Sequence, residues 1–92
     1  MTVRWTPTAL RDLESLAEYT AEDAPAAAAS MVEKILSGIE ALRRQPAMGR
    51  RGRVAGTREL VISPYIVAYR ATKDAIELLA IIHGARRWPD AL

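Results

Sequence analysis

One run of nine residues, Ala75–His83, constrains the fold more than any other part of the chain. Its sequence is A-I-E-L-L-A-I-I-H, which is apolar at nearly every position. A strand with one solvated face alternates apolar and polar residues, whereas a nearly continuous apolar run is typical of a strand buried on both faces. The run therefore predicts a central strand, with other strands of the same sheet on both sides of it.

Three shorter segments have the composition of further strands. Residues 59–62 and 65–70 are rich in β-branched and aromatic side chains, and Ser63-Pro64 separates them. Lys73-Asp74 forms a polar turn before the central strand, so the last three strands should pair antiparallel. Residues 3–6 are a short strand candidate near the N-terminus. Alternation along residues 65–70 places three side chains on one face: Tyr65, Val67 and Tyr69.

The chain between these strands predicts two helices. Thr6-Pro7 combines a capping hydroxyl with a proline whose missing N–H costs nothing in the first turn, and Asp23-Ala24-Pro25 repeats the start signal. Apolar residues then recur every three or four positions, as on the buried face of a helix. These are Leu10, Leu13, Leu16, Ala17 and Thr20 in the first helix, and Ala28, Val32, Ile35, Leu36, Ile39 and Leu42 in the second. Because only a few residues join the helices, they should form an antiparallel hairpin.

This order of elements predicts an α+β fold in which the helical hairpin covers an antiparallel sheet. The chain has 92 residues, half of them hydrophobic, which is enough for a single domain over residues 1–92. Its apolar runs are far shorter than the ~20 residues that span a bilayer, and the N-terminus lacks the apolar core of a signal peptide. We therefore expect a cytoplasmic protein with no membrane interaction.

Charge is distributed unevenly along the chain. Residues 1–42 contain three basic and seven acidic side chains, a balance of −4, whereas residues 43–92 contain ten basic and four acidic ones, a balance of +6. Eleven of the 13 basic residues are arginines, whose planar guanidinium suits phosphate and carboxylate groups. The pattern indicates a nucleic acid or an acidic protein as partner. A solvated surface on which arginine replaces lysine is the alternative interpretation.

Most catalytic and cofactor motifs are excluded. The chain has no cysteine and its only histidine is His83, so neither thiolate nor His-rich metal sites can form. Neither G-x-x-x-x-G-K-[ST] nor G-x-G-x-x-G occurs, and we predict no metal and no cofactor. The chemistry that remains is phosphodiester cleavage, with an arginine stabilising charge and His83 transferring a proton. A structural histidine bonded to the backbone is an equally good interpretation of His83.

Six segments in this order cover nearly the whole chain and carry a family resemblance. They are W-T-P-T-A-L-R-D-L at residues 5–13, E-Y-T-A-E-D-A-P-A-A-A at 18–28, P-A-M-G-R at 46–50, G-T-R-E-L-V at 56–61, P-Y-I-V-A-Y-R at 64–70 and I-I-H-G-A-R-R-W-P at 81–89. Together they resemble toxins of the RelE/ParE superfamily from bacterial type II toxin–antitoxin modules. The resemblance implies a helical hairpin on a twisted antiparallel sheet, followed by a short C-terminal segment. It also implies a cognate antitoxin that binds and neutralises the toxin, and operator DNA bound through that antitoxin.

The superfamily has two branches with different targets. RelE-like toxins cut mRNA on the ribosome, and they usually carry an arginine after the first aromatic residue of a Y-R-L-V-Y segment and often a C-terminal tyrosine or histidine. Here Ile66 follows Tyr65, and no tyrosine follows Arg87. ParE-like toxins inhibit DNA gyrase without such a set, and the ending H-G-A-R-x-W resembles that branch. The resemblance therefore favours a gyrase inhibitor that is not an enzyme.

The resemblance also implies candidate functional residues. Those for target binding are Arg70, His83, Arg86, Arg87 and Trp88. Those for antitoxin binding are Arg50, Arg51, Arg53, Arg58, Tyr65 and Tyr69, with a place in the core as the alternative for the two tyrosines. If the chain is a ribonuclease, the catalytic candidates are Arg58, Arg70, His83 and Arg86. An apolar plug at the edge of the sheet is the alternative role for Trp88.

Two other functions stay open. One is a ribosome-dependent mRNA endoribonuclease of the RelE type. The other is a non-toxic regulatory member that binds the antitoxin and operator DNA and has no cellular target.

Overall fold

A computed structural model of the chain describes residues 1–84. This part contains β1 (Thr2–Trp5), α1 (Pro7–Asp23), α2 (Pro25–Leu42), β2 (Arg50–Arg51), β3 (Arg58–Ile62), β4 (Tyr65–Ala71) and β5 (Ala75–His83). The order of the helices and the long strands is the predicted one, and β5 has the predicted bounds. The short strand β2 was not predicted, because two consecutive arginines carry no strand signal.

The five strands form one sheet in the order β1-β5-β4-β3-β2. β5 lies between β1 and β4, as its apolar sequence predicts. The predicted antiparallel pairing is found from β3 through β5, and the unpredicted β2 also pairs antiparallel with β3. β1 pairs with β5 in the parallel direction, so the complete sheet is mixed. A tight turn between two strands makes them antiparallel, whereas a long connection allows parallel pairing. The rest of the fold lies between β1 and β5 in sequence, so the second case applies here.

Both helices begin where the sequence predicts. Thr6 caps α1, with its Oγ1 accepting the N–H of Ala9 at 3.2 Å, and Pro7 occupies the first helical position. α2 starts at Pro25 and has no side-chain cap, so Asp23 is the last residue of α1 and not a cap. A single residue, Ala24, turns α2 back along α1 to give the predicted hairpin. Within residues 1–84, neither helix is long and apolar enough to cross a bilayer.

The hydrophobic core lies between the helical hairpin and one face of the sheet. Its buried members are Ala9, Leu16, Ile35, Ile39, Leu42, Val67, Tyr69, Ile76, Leu78 and Ile81. The predicted inward positions of Leu10 and Leu36 are wrong, since these side chains are 48% and 43% exposed. Each follows directly after a fully buried residue, Ala9 or Ile35, and is therefore rotated by about 100° away from the core.

One extra residue in β5 changes the direction of the side chains in its last third. The register between β4 and β5 shifts by one residue, and Leu79 has no partner in β4. The core side chains of β5 therefore recur after three residues, from Leu78 to Ile81, rather than after two. Because alternation then resumes, His83 lies on the same face as Ile81, which is the face covered by the helices.

Candidate functional site

Residues 50–58, which we call the arginine loop, carry four of the predicted functional arginines. The β2–β3 pairing sets Arg50 opposite Glu59 and Arg51 opposite Arg58. The N–H of Gly52 donates to the carbonyl of Thr57 at 2.8 Å, which continues the hairpin beyond β2. Consecutive residues of a strand point to opposite faces, so Arg50 and Arg51 lie on different sides of this hairpin.

Glu59 is a buried carboxylate that organises one side of the arginine loop. It is 2% exposed, and its Oε1 accepts a hydrogen bond from Nη2 of Arg50 at 3.2 Å. Its Oε2 accepts the backbone N–H of Arg53 at 3.0 Å and lies 3.5 Å from Nε of Arg53. Burial of a carboxylate is costly unless such partners compensate it. These contacts hold the loop in place while the arginine side chains remain 57% and 40% exposed.

The glycines of the arginine loop have conformational roles. The N–H and the hydroxyl of Thr57 both donate to the carbonyl of Val54, at 3.1 and 2.7 Å, which closes a four-residue turn. Gly56 is the third residue of this turn and has a φ of +80°, as type II turns require. Gly52 has no space for a side chain, because a Cβ would collide with the hydroxyl of Thr57. The two glycines therefore shape a fixed hairpin loop.

Tyr69 anchors the segment that leads into the arginine loop. Its side chain is completely buried. The hydroxyl donates to the carbonyl of Pro46 at 2.7 Å and accepts the N–H of Gly49 at 2.9 Å. Burial raises the pKa of the Tyr69 phenol, and the Gly49 N–H and the charge of Arg58 oppose that rise. Tyr69 is thus a core residue, and its side chain is not accessible to an antitoxin.

The segment that leads into the arginine loop also holds the side chain of Arg58. Its Nη1 donates to the carbonyl of Gly49 at 2.8 Å and to that of Ala47 at 3.3 Å. The contact with Gly49 brings the guanidinium close to the Tyr69 anchor. Two carbonyl acceptors fix the position of the guanidinium, so Arg58 differs from the exposed Arg51 beside it.

A cavity of about 450 Å³ lies on the Arg51 side of the arginine loop. Its described lining residues are Arg51, Gly52, Val54, Ala55, Gly56, Thr57, Arg58 and Ala71. Two of these are cationic and none is acidic. The cavity therefore combines two guanidinium groups with small apolar side chains, an environment that favours an anionic group.

Arg70 belongs to a row of charges on the face of the sheet that the helices do not cover. It follows the core residue Tyr69 in β4 and therefore points to the other face. Its Nη1 bonds to Oε1 of Glu77 at 3.1 Å, and Nη2 of Arg4 lies 4.0 Å from Oε2 of the same carboxylate. Both arginines are largely exposed, so these ion pairs contribute little to stability.

His83 lies at the other end of β5, in a groove beside α1. The rings of His83 and Tyr65 meet edge to face, with centroids 5.7 Å apart and planes at 79°. The groove has a volume of about 500 Å³, and its described lining residues are Asp12, Ser15, Leu16, Tyr19, Tyr65, Ile81, Ile82 and His83. Tyr65 is only partly buried, so a partner in this groove can contact it.

The predicted ribonuclease residues of the described part do not converge. Arg58 is bonded to backbone carbonyls, and Arg70 points to the opposite face of the sheet. His83 lies six residues beyond Glu77, the partner of Arg70, which corresponds to about 20 Å along β5. A single phosphate cannot contact all three side chains. The predicted residues Arg86, Arg87 and Trp88 lie outside the described residues, so their roles stay predictions.

The residues that position the arginines were missed by the sequence interpretation. Glu59 directly follows Arg58 in the sequence, yet its carboxylate contacts Arg50 and Arg53 instead. The available signal was a single acidic residue, Glu59, directly after the basic arginine loop and one residue before an apolar strand position. No sequence signal identified Asp12, whose carboxylate accepts the backbone N–H of Ile81 in β5.

Comparisons with known proteins agree with the resemblance. Residues 3–88 match the family described as the ParE toxin of the type II toxin–antitoxin system parDE. The chain is 44% identical to Y4kP, a Sinorhizobium fredii protein assigned as a toxin, over 98% of this chain and 95% of that protein.

Two solved toxin–antitoxin systems contain chains with the same fold. A chain of the chromosomal ParDE system from P. aeruginosa is 25% identical, with 90% of this chain and 95% of that one covered and a TM-score of 0.80. A chain of the RelBE2 toxin–antitoxin complex from Mycobacterium tuberculosis is 31% identical, with 89% and 95% covered and a TM-score of 0.62. The predicted fold is therefore confirmed.

Proposed function

Because this chain belongs to the ParE toxin family of type II toxin–antitoxin systems, we propose that it inhibits DNA gyrase and is neutralised by a cognate antitoxin. Inhibition of gyrase would block replication and stop growth. Solved relatives that belong to ParDE and RelBE toxin–antitoxin systems support an antitoxin as partner. On this proposal the antitoxin also links the toxin to operator DNA.

The separation of Arg58, Arg70 and His83 is the observation that favours inhibition of gyrase over cleavage of mRNA. Cleavage of a phosphodiester requires a proton-transfer group and a charge-stabilising cation at the same phosphate. In the described residues these three candidates occupy two faces and two ends of the sheet. That arrangement supports binding to a large target over catalysis at one bond, and the higher TM-score with the ParDE chain agrees with it.

A supercoiling assay tests the proposal. The purified chain is added to gyrase, ATP and relaxed plasmid, and we expect loss of supercoiling at micromolar concentration. The double variant Arg86→Gln/Arg87→Gln should relieve the inhibition, because both residues are predicted to bind the target. The matched control is Arg43→Gln/Arg44→Gln, which removes the same charge from an exposed site. Full gyrase activity in the presence of the wild-type chain would overturn the proposal.

A ribosome-dependent mRNA endoribonuclease is the second candidate. It is favoured by the sequence identity with the RelBE2 chain, 31% against 25% for the ParDE chain. The chain is added to a translating extract, and the mRNA is analysed by primer extension. Cleavage within codons, lost in His83→Ala, would establish this function in place of gyrase inhibition.

Toxicity and neutralisation are tested together in cells. Induced expression should stop growth, and co-expression of the product of the neighbouring reading frame should restore it. Normal growth on induction, with a stable complex between the two proteins, would identify a regulatory member without a target.

A further inference from the structure

The cavity beside the arginine loop contains two arginines and no acidic residue among its described lining, and inhibition of gyrase assigns it no role. We propose that it binds a carboxylate side chain, preferably glutamate, from an acidic segment of a protein partner. This inference rests on the proposed function, in which that partner is the antitoxin.

The two arginines of the cavity, Arg51 and Arg58, differ in how they are held, and this difference suits binding of a carboxylate. Both described hydrogen bonds of Arg58 come from Nη1, so the rest of its planar guanidinium is available at a fixed position. Arg51 is exposed, and no described ion pair or side-chain hydrogen bond engages it. The guanidinium groups of Arg58 and Arg51 can form a two-point contact with a carboxylate, and the fixed position of Arg58 lowers the entropic cost of that contact.

The wall of the cavity is preorganised. Glu59 fixes Arg50 and Arg53 from the other side of the loop, and the Val54–Thr57 turn is closed by two hydrogen bonds. A loop that is already ordered loses little freedom when a partner binds, and more of the contact energy then appears as affinity.

Two features favour a carboxylate side chain over the phosphates of a nucleic acid. Small apolar residues, Val54, Ala55 and Ala71, line the cavity next to the arginines. The methylene groups of a glutamate have matching contacts there, whereas a phosphate has no apolar part. Proteins that follow a nucleic-acid backbone spread their cations along a groove. Here Glu59 draws Arg50 and Arg53 to the opposite side, so the arginines do not form such a track.

Binding is measured with two probes of equal length, hexaglutamate and hexathymidylate, and with the product of the neighbouring reading frame. Arg51→Gln should weaken binding of hexaglutamate and of that protein about tenfold, the loss of one charge-assisted contact at a partly exposed site. Arg11→Gln, an exposed arginine of α1, is the control for net charge and should change binding less than twofold. Equal effects of the two variants would overturn the proposal.

A second variant keeps both arginines and blocks the cavity. Ala71→Glu places a carboxylate of the chain itself at the cavity wall, and it should weaken binding as much as Arg51→Gln does. Ala29→Glu, on the exposed side of α2, is its control. Stronger binding of hexathymidylate than of hexaglutamate would identify a nucleic-acid site instead. A dimer that Arg51→Gln dissociates would identify the acidic α1 of a second copy as the occupant.

The probes also separate this inference from the proposed function. If the neighbouring protein does not bind the wild-type chain, its role as antitoxin fails, while the hexaglutamate measurements still decide the cavity. If it binds and neutralises the toxin but Arg51→Gln and Ala71→Glu have no effect, the proposed function survives and the carboxylate site is excluded.

Discussion

The carboxylate of Asp12 accepts the backbone N–H of Ile81 at 2.9 Å, and this hydrogen bond joins α1 to β5. β1 pairs with β5 only as far as Leu78, so no described strand continues along that edge. Oγ1 of Thr6 donates to the carbonyl of Leu78 at 2.7 Å. The side chains of Thr6 and Asp12 therefore bond to the edge of β5 where a strand would otherwise pair, on both sides of the bulge at Leu79. Asp12 also lines the groove that contains His83.

Asp12→Ala is expected to destabilise the protein by about 1–3 kcal/mol, because a partly buried N–H loses its acceptor. Asp12→Asn retains a carbonyl acceptor and should lose less. Glu14→Ala, on the exposed side of the same helix, should stay within about 0.5 kcal/mol of the wild type. Urea denaturation measures all three free energies of unfolding. If Asp12→Ala is no more harmful than Glu14→Ala, the contact with Ile81 does not stabilise the fold.

Tyr69→Phe keeps the buried ring and removes only the hydroxyl that holds Pro46 and Gly49. Both backbone groups then lose a partner, so we expect a loss of about 1–3 kcal/mol in the free energy of unfolding. Tyr19→Phe is the matched control, because the side chain of Tyr19 is 73% exposed. Thermal denaturation followed by circular dichroism compares the variants, and equal melting temperatures would contradict the anchoring role of Tyr69.

The free energy of unfolding at alkaline pH should depend on ionisation of the Tyr69 phenol. Its pKa is raised above the ordinary value of 10.0 in the folded protein, mainly through burial. The unfolded chain therefore releases this proton first, and the stabilising contribution is complete below pH 10 and lost as the pH rises through the folded-state value. The difference in unfolding free energy between wild type and Tyr69→Phe should narrow above pH 10. A difference that is constant from pH 8 to 11 would show that the pKa is not raised.

Local signals explain why much of the fold was predictable. Pro7 and Pro25 mark the starts of the helices because their missing N–H groups need no partner there. The apolar run Ala75–His83 required burial on both faces, which only an interior strand provides. These properties depend on neighbouring residues alone, so they can be identified without knowledge of the tertiary structure.

Contacts between distant residues explain what was not predictable. The parallel pairing of β1 depends on where β5 lies in the sheet, and the bulge at Leu79 depends on the register with β4. Without that bulge, His83 would face the same side as Glu77 and Arg70, although about 20 Å along β5 would still separate it from them. The buried position of Glu59 likewise follows from a register that no local pattern specifies.

Gly56→Ala should destabilise the arginine loop through the backbone alone. A Cβ at this position meets no atom within 4 Å, but the φ of +80° is unfavourable for alanine by about 1–2 kcal/mol. Asparagine tolerates positive φ better, so Gly56→Asn should cost less than Gly56→Ala. Hydrogen exchange at the amide of Thr57, which bonds to Val54, measures the local effect. Equal protection in both variants and the wild type would exclude strain at this turn.

Arg50 and Arg53 should stabilise the protein cooperatively through Glu59. Each single alanine variant leaves one guanidinium for the buried carboxylate, so each should lose no more than about 1 kcal/mol. The double variant leaves only the backbone N–H of Arg53, and its loss should exceed the sum of the single losses by at least about 0.5 kcal/mol.

The same cycle on the exposed pair Arg43 and Arg44 is the control and should be additive. Adding Glu59→Gln to the Arg50→Ala/Arg53→Ala variant should restore part of the stability, because an uncharged amide is less costly to bury than an unpaired carboxylate. Urea denaturation measures every corner of both cycles. Additive losses at Arg50 and Arg53, with no recovery by glutamine, would show that the carboxylate of Glu59 does not hold the arginine loop.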